Sequence, residues 1–298
     1  MLKHARRFIV PPVSLVQRRN TIADWTFYDV GALTRPEFNW LASQRIEEGS
    51  ILVVLPTGGA DELCIRKHVD HEAMIAAPGD LVRHFAIAGV GSSDVGAAAL
   101  ARTLANHLDE PVGAIVAGYG MADIVQEALG GWFFFGAANR AQALLDRFGK
   151  GLSNPLRGGR ADEGEGASIL ARCSKDTRTL LRLLHDEGRE IETILGHSKG
   201  CLSIAYAFNE LRDLQGPDAL TPFRDIKIIT AGAVVALPDQ LQRVHQYLGS
   251  IDWFGGLNSI PGTAHTRVPY SWHHLNTDIP LHMNLSQVLL GRYDPVTS

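Results

Sequence analysis

At 298 residues and 32.4 kDa, with 45% hydrophobic and 20% charged residues, the chain is long enough to bury one large core. A net charge of −4 and scattered basic residues give no positive footprint for nucleic acid, so DNA and RNA are discounted as partners. Cys64, Cys173 and Cys201 are odd in number, far apart and without CxxC spacing, which argues against a disulfide framework or structural zinc and fits a reducing, cytoplasmic compartment.

The opening MLKHARRFIVPPVSLVQRRN is basic, but two prolines break its apolar run and arginines close it, so no signal peptide is expected. No stretch approaches the ~18 apolar residues of a membrane span. Residues 1–49 read as an N-terminal extension packed on the main body. Within it RPEFNWLASQRIEEG sets Phe38, Leu41 and Ile46 roughly on one helical face, with Gly49 as a stop.

Residues 50–298 read as one domain. ILVVLP (51–56) is a buried-strand run ended by a glycine turn, and LVRHFAIAG (81–89) is a second. DVGAAALARTLANHL (94–108) is an alanine-rich helix opened by Asp94 as cap. PVGAIVAGYG (111–120) repeats the strand-into-glycine pattern. KDTRTLLRLLHDEG (175–188) is an amphipathic helix, IETILG a strand, KGCLSIAYAFNEL (199–211) a helix and IKIITAGAVV (226–235) a strand. Continuous apolar strands alternating with helices predict an α/β fold, a mostly parallel sheet flanked by helices on both faces.

An insertion at about 119–172 interrupts the alternation. Its first part, MADIVQEALGGWFFFGAANRAQALLDRF, is apolar and aromatic, and GKGLSNPLRGGRADEGEGAS after it is glycine-rich and charged. In KHVDHEA (67–73), His68, Asp70 and His71 invite a metal reading, but a solvated charged loop is expected, since an HxH ahead of the DH is missing. GVGSSDVG (89–96) begins like a dinucleotide loop, yet its third glycine falls at 96 rather than 94. No cofactor and no metal are expected.

The candidate chemistry centres on Gly196-His197-Ser198-Lys199-Gly200, between a predicted strand and a small-residue helix. So sharp a turn forces Ser198 into strained backbone angles, and only residues without a Cβ fit close beside it. The turn lifts the hydroxyl off the sheet, and the helix N-terminus aims backbone N–H groups at a developing oxyanion, the Lys199 amide first. The Lys199 side chain itself is expected to reach solvent, and Cys201 to be a small core residue.

GHSKG followed by a small-residue helix, in an alternating β/α chain, resembles the α/β-hydrolase superfamily, especially its lipase- and esterase-like members. The resemblance covers roughly residues 50–295. It implies a catalytic triad in chain order Ser, Asp or Glu, His, and an oxyanion hole completed after an earlier strand. In AIAGVGSSD the Gly89-Val90 step follows a strand much as the family's His-Gly-X segment does, with Ala88 where the family often has His. Val90 N–H is the second oxyanion candidate.

By the same resemblance the acid is expected at Asp252, because QYLGSIDWFGGLNSIP, an apolar run then Asp252 then a glycine turn, is similar to the stretch in lipase-like hydrolases where an Asp ends a strand. Asp239 is the rival, although LPDQLQRV looks like a helix start with Asp239 as its cap. For the base, SWHHLNTDIPLHM offers His273, His274 and His282; its similarity to lipase-like relatives with a histidine just before Leu-Asn selects the His273–His274 pair, with preference for His273, while His282 reads as a cap of the final helix and His265 is an outsider. Trp132 and Phe134 of the insertion and His197 beside the serine are candidates to line the substrate site; since the family often inserts lids at such positions, the insertion reads as cap-like over Ser198, a packed core helix being the alternative. The implied activity is hydrolysis of a small-molecule or lipid-like acyl ester through an acyl-enzyme. A thioesterase or acyltransferase on the same residues, or an interaction protein that keeps the fold without catalysis, is the alternative.

Overall fold

The computed structural model describes residues 24–59, 62–79, 81–117, 174–186 and 188–293. Their architecture is α/β: one open sheet of eight strands in the order β2-β1-β4-β3-β5-β6-β7-β8, flanked by helices. The strands are β1 (Ile51–Val54), β2 (Ile65–His68), β3 (His84–Ile87), β4 (Val112–Ile115), β5 (Thr193–His197), β6 (Lys227–Ala231), β7 (Arg243–Gly249) and β8 (Thr266–Val268). β1 is antiparallel to both of its neighbours, β2 and β4. All other pairings are parallel.

The apolar strands have this character because both of their faces are covered. β1, β3, β4 and β5 are buried along their whole length. Successive side chains go to opposite layers. Leu52 and Val54 join one core with α3 (Asp94–Leu108) and α7 (Leu285–Leu289), whereas Ile51 and Val53 join the other with α4 (Lys175–His185) and α5 (Lys199–Gln215). Further helices among the described residues are α1 (Arg35–Ser43), α2 (His71–Ala76) and α6 (Trp253–Leu257). The helix of the N-terminal extension predicted from RPEFNWLASQRIEEG is α1; it is opened by a capping box between Thr34 and Glu37, Leu41 faces the core, and it ends at Ser43, short of Ile46 and of Gly49, the expected stop.

Three sequence expectations shift. The N-cap of α3 is Ser93, whose hydroxyl accepts the Val95 amide, while Asp94 is the first helical residue and pairs with Lys67 at 2.6 Å. Asp70 caps α2 by accepting the Ala73 amide, which gives KHVDHEA a strand-to-helix role. LPDQLQRV is no helix start: residues 239–240 form a turn and β7 begins at Arg243. Among the described residues no helix is long and apolar enough to cross a membrane. The insertion at 119–172 lies outside the described residues.

Candidate active site

Ser198 sits between β5 and α5 with φ 55° and ψ −118°, a backbone conformation costing about 1–3 kcal/mol for a residue with a side chain. The glycines on either side explain how the chain tolerates it. A Cβ on Gly200 would fall 2.1 Å from the Ile87 carbonyl oxygen at the end of β3. One on Gly196 would fall 2.7 Å from the Ile204 side chain and 2.9 Å from the Cys201 amide nitrogen. The first turn of α5 is thus pressed against two strand ends, and Ser198 is the residue left projecting at the bend.

The Ser198 hydroxyl lies 2.9 Å from His273 Nε2, and His273 Nδ1 lies 2.8 Å from Asp252 Oδ2. The polarity of this array follows from its ends. A carboxylate only accepts, so Nδ1 carries the proton toward Asp252 and Nε2 presents its lone pair to the Ser198 hydroxyl. Asp252 is itself held: its other oxygen accepts the Gly255 amide at 2.7 Å, so the acid doubles as the N-cap of α6. Ser198, His273 and Asp252 are all buried. The imidazole is walled by the ring of Phe254, edge-on with centroids 4.8 Å apart, and by that of Phe27 at 6.0 Å. Gly232, at φ +77°, passes so close that a Cβ would stand 3.0 Å from His273 Cε1.

The other candidates fall elsewhere. His274 Nε2–H is shared between the carbonyls of Ile279 and Pro280 at 3.3 and 3.1 Å, so His274 closes a loop, and burial holds its pKa low. His282 donates to the Ile279 carbonyl and His265 to that of Thr263. Asp239 is exposed in the turn before β7. Trp132 and Phe134 lie outside the described residues.

His197, a candidate for the substrate wall, is 1% exposed and has both ring nitrogens engaged, Nδ1 with the Tyr28 hydroxyl at 3.0 Å and Nε2 with the His273 carbonyl at 2.9 Å. It belongs to the scaffold beneath the serine. Burial, then the neighbouring His273, depresses its pKa to about 3. The Lys199 side chain turns inward as well: its Nζ lies 3.5 Å from the fully buried Asp176 of α4, which also accepts the Ser203 hydroxyl. Cys201 is a core residue, its thiol donating to the Ala231 carbonyl and pushed by burial up to about 12.

The loop after β3 borders the serine: a Cβ on Gly89 would stand 3.2 Å from Ser198 Cβ. The Gly89 amide is taken up by the Tyr28 hydroxyl at 2.6 Å. Next along the chain stands Val90. Tyr28, Phe27, Phe254 and Gly232 are the parts of this site that sequence reasoning did not find. Only the placement of the N-terminal extension on the main body hinted at the first two. No protein-family model matches the chain, and no match is found among curated proteins or solved structures.

Proposed function

We propose that the chain is a serine hydrolase of the α/β-hydrolase, esterase- or lipase-like type, cleaving an acyl ester. One observation carries this reading: a hydroxyl on a strained strand-to-helix bend meets an imidazole at 2.9 Å whose far nitrogen meets a carboxylate at 2.8 Å. Each residue type is needed for a different step. His273 takes the Ser198 proton as Oγ attacks the acyl carbon, and Asp252 holds the tautomer and stabilises the imidazolium. The tetrahedral oxyanion is met by the amides of Val90 and of Lys199, the latter in the first turn of α5. His273 then returns the proton to the leaving alkoxide, and water attacks the acyl-Ser198 by the same route in reverse.

An intact hydroxyl, imidazole and carboxylate array favours catalysis over an interaction role, because that role needs none of the three in register. The buried, unpaired Cys64 and Cys201 suit the cytoplasmic setting read from the sequence. A fluorophosphonate probe tests the reading. Covalent labelling of the wild type, absent in Ser198→Ala of unchanged fold, is expected together with turnover of p-nitrophenyl esters. A wild type that takes up no label and hydrolyses none of the series from acetate to palmitate would refute it.

A further inference from the structure

Two side chains one helical turn apart, Asp24 and Tyr28, grip the two ends of the loop that follows β3. The Tyr28 amide bonds the Asp24 carbonyl at 2.8 Å, which fixes the turn. Asp24 accepts the hydroxyl of Ser92 at 3.2 Å, the amide of Ser93 at 3.3 Å and the hydroxyl of Ser93, while Tyr28 accepts the Gly89 amide at 2.6 Å. Val90, between these anchors, is therefore set by residues of the N-terminal turn.

The Tyr28 bond continues in one direction only. The Gly89 N–H can only donate, so the hydrogen of the Tyr28 hydroxyl is left for His197 Nδ1, which must present a lone pair. The His197 proton then sits on Nε2 and is given to the His273 carbonyl, which can only accept. The low pKa of His197 agrees with a ring kept neutral in this tautomer. Tyr28 is 3% exposed and His197 1%, so water does not substitute for any link. This chain spans the site beneath Ser198, from the oxyanion loop on one side to the backbone of the proton acceptor on the other.

We propose that Tyr28, acting through His197, is a positioning residue of the Ser198 site, its hydroxyl setting the spacing between the 89–93 loop and His273. The inference rests on the serine-hydrolase reading. Its consequence is kinetic. Small misplacement of an oxyanion donor or of the base slows the chemical step and leaves substrate binding nearly unchanged.

Tyr28→Phe keeps the ring and removes the relay at its centre, and His197→Phe removes it one link later. On p-nitrophenyl acetate, well below each variant's own melting temperature, each should lose about 10–100-fold in kcat with KM within about twofold. The double variant should be no slower than the slower single one, because both substitutions cut one chain. Thr277→Val is the structural control: it breaks the 2.8 Å bond from Thr277 to Asp29 next to the same turn and should lower Tm without changing kcat. Fluorophosphonate labelling of the wild type separates the two levels, since a wild type that takes up no label and hydrolyses none of the p-nitrophenyl esters refutes the hydrolase reading itself. A labelled, active wild type whose Tyr28→Phe and His197→Phe variants keep kcat within twofold, or lose it additively in the double variant, overturns the positioning role.

Discussion

Asp252 shows how one residue can be given two duties by its surroundings. Oδ2 faces the His273 ring and Oδ1 caps α6 through the Gly255 amide, so the carboxylate cannot rotate away from the imidazole without uncapping the helix. Asp252→Asn should cost roughly 10⁴ in kcat, since an amide favours the wrong imidazole tautomer, with Tm falling by only a few degrees. Asp239→Asn, in an exposed turn, should leave kcat near wild type; the opposite ranking in a p-nitrophenyl acetate assay would remove Asp252 from the acid role. Two buried titratable groups near the site pull stability in opposite directions with pH. Asp24 is raised by burial from 3.8 to about 7, so the folded chain keeps a proton that the unfolded chain has lost; the stability it adds is complete below 3.8 and is lost as pH rises through about 7. His197 is lowered from 6.5 to about 3, so its contribution is present above 6.5 and is lost as pH falls through about 3. Asp24→Asn isolates the first effect. Between about pH 5 and about pH 8 the wild type should lose on the order of 2 kcal/mol more than the variant, read from urea midpoints, and parallel pH curves would mean that Asp24 does not titrate in that range.

The helices owe their placement to a few close contacts as much as to their apolar stripes. Glu37 closes the capping box of α1, accepts the Cys64 amide at 3.1 Å and takes the Arg102 guanidinium of α3 at 2.5 Å, with both side chains fully buried. Burial would raise the Glu37 pKa, but the Arg102 hydrogen bond, the Thr34 amide, the Arg102 charge and the Cys64 amide together more than offset this and hold it low. Removing the carboxylate strands a guanidinium in the core, so Glu37→Ala should cost roughly 3–5 kcal/mol in a denaturant titration, and a loss below 1 kcal/mol would show that water reaches Arg102. Gly200 is the second such contact. Because its Cβ would meet the Ile87 carbonyl oxygen at 2.1 Å, Gly200→Ala should push α5 off β3, with fluorophosphonate labelling of Ser198 lost along with a few kcal/mol of stability. At this scale the sequence was a good guide where periodicity was strong. β1, β3, β4, β5 and β6 read as buried runs, and α3, α4 and α5 as helices, because burial on both faces demands unbroken apolar strands. The edge strands β2 and β8 went unread: four residues and three residues, partly exposed, leave too short a pattern, and β2 carries Arg66 and Lys67. LPDQLQRV misled because an Asp after a Pro marks a turn as readily as a helix cap.

Across the whole molecule, the candidate site is where chain segments far apart in sequence are tied together. Ser198 stands out by a local pattern, glycines around a bend, whereas Asp252 and His273 were singled out as its companions by the resemblance of that bend and its chain order to the α/β-hydrolases. Asp24 and Tyr28 were not, since nothing local in ADWTFYD distinguishes a tyrosine that holds a loop from one that fills a core. Their roles arise from the closure of the fold. The N-terminal turn bonds the C-terminal segment through the Leu275 amide to the Phe27 carbonyl at 2.8 Å and the Asn276 side chain to the Trp25 carbonyl at 2.5 Å, while Tyr28 and Asp24 hold the loop after β3. Four tethers on one short turn make it one cooperative unit, so none should open alone. Native-state hydrogen exchange reads this directly. The amides of Gly89, Ser93 and Leu275, which donate to Tyr28, Asp24 and Phe27, should exchange with one common opening free energy. Tyr28→Ala should lower that value at all three sites together, although Leu275 makes its bond to a different residue of the turn. In the same experiment Ile194 and Ile228, in the central parallel pair β5 and β6, should keep wild-type protection. If Gly89 alone became fast while Leu275 and Ser93 stayed protected, the tethers would be independent contacts, and the chain ends would not be coupled to the Ser198 site through the turn.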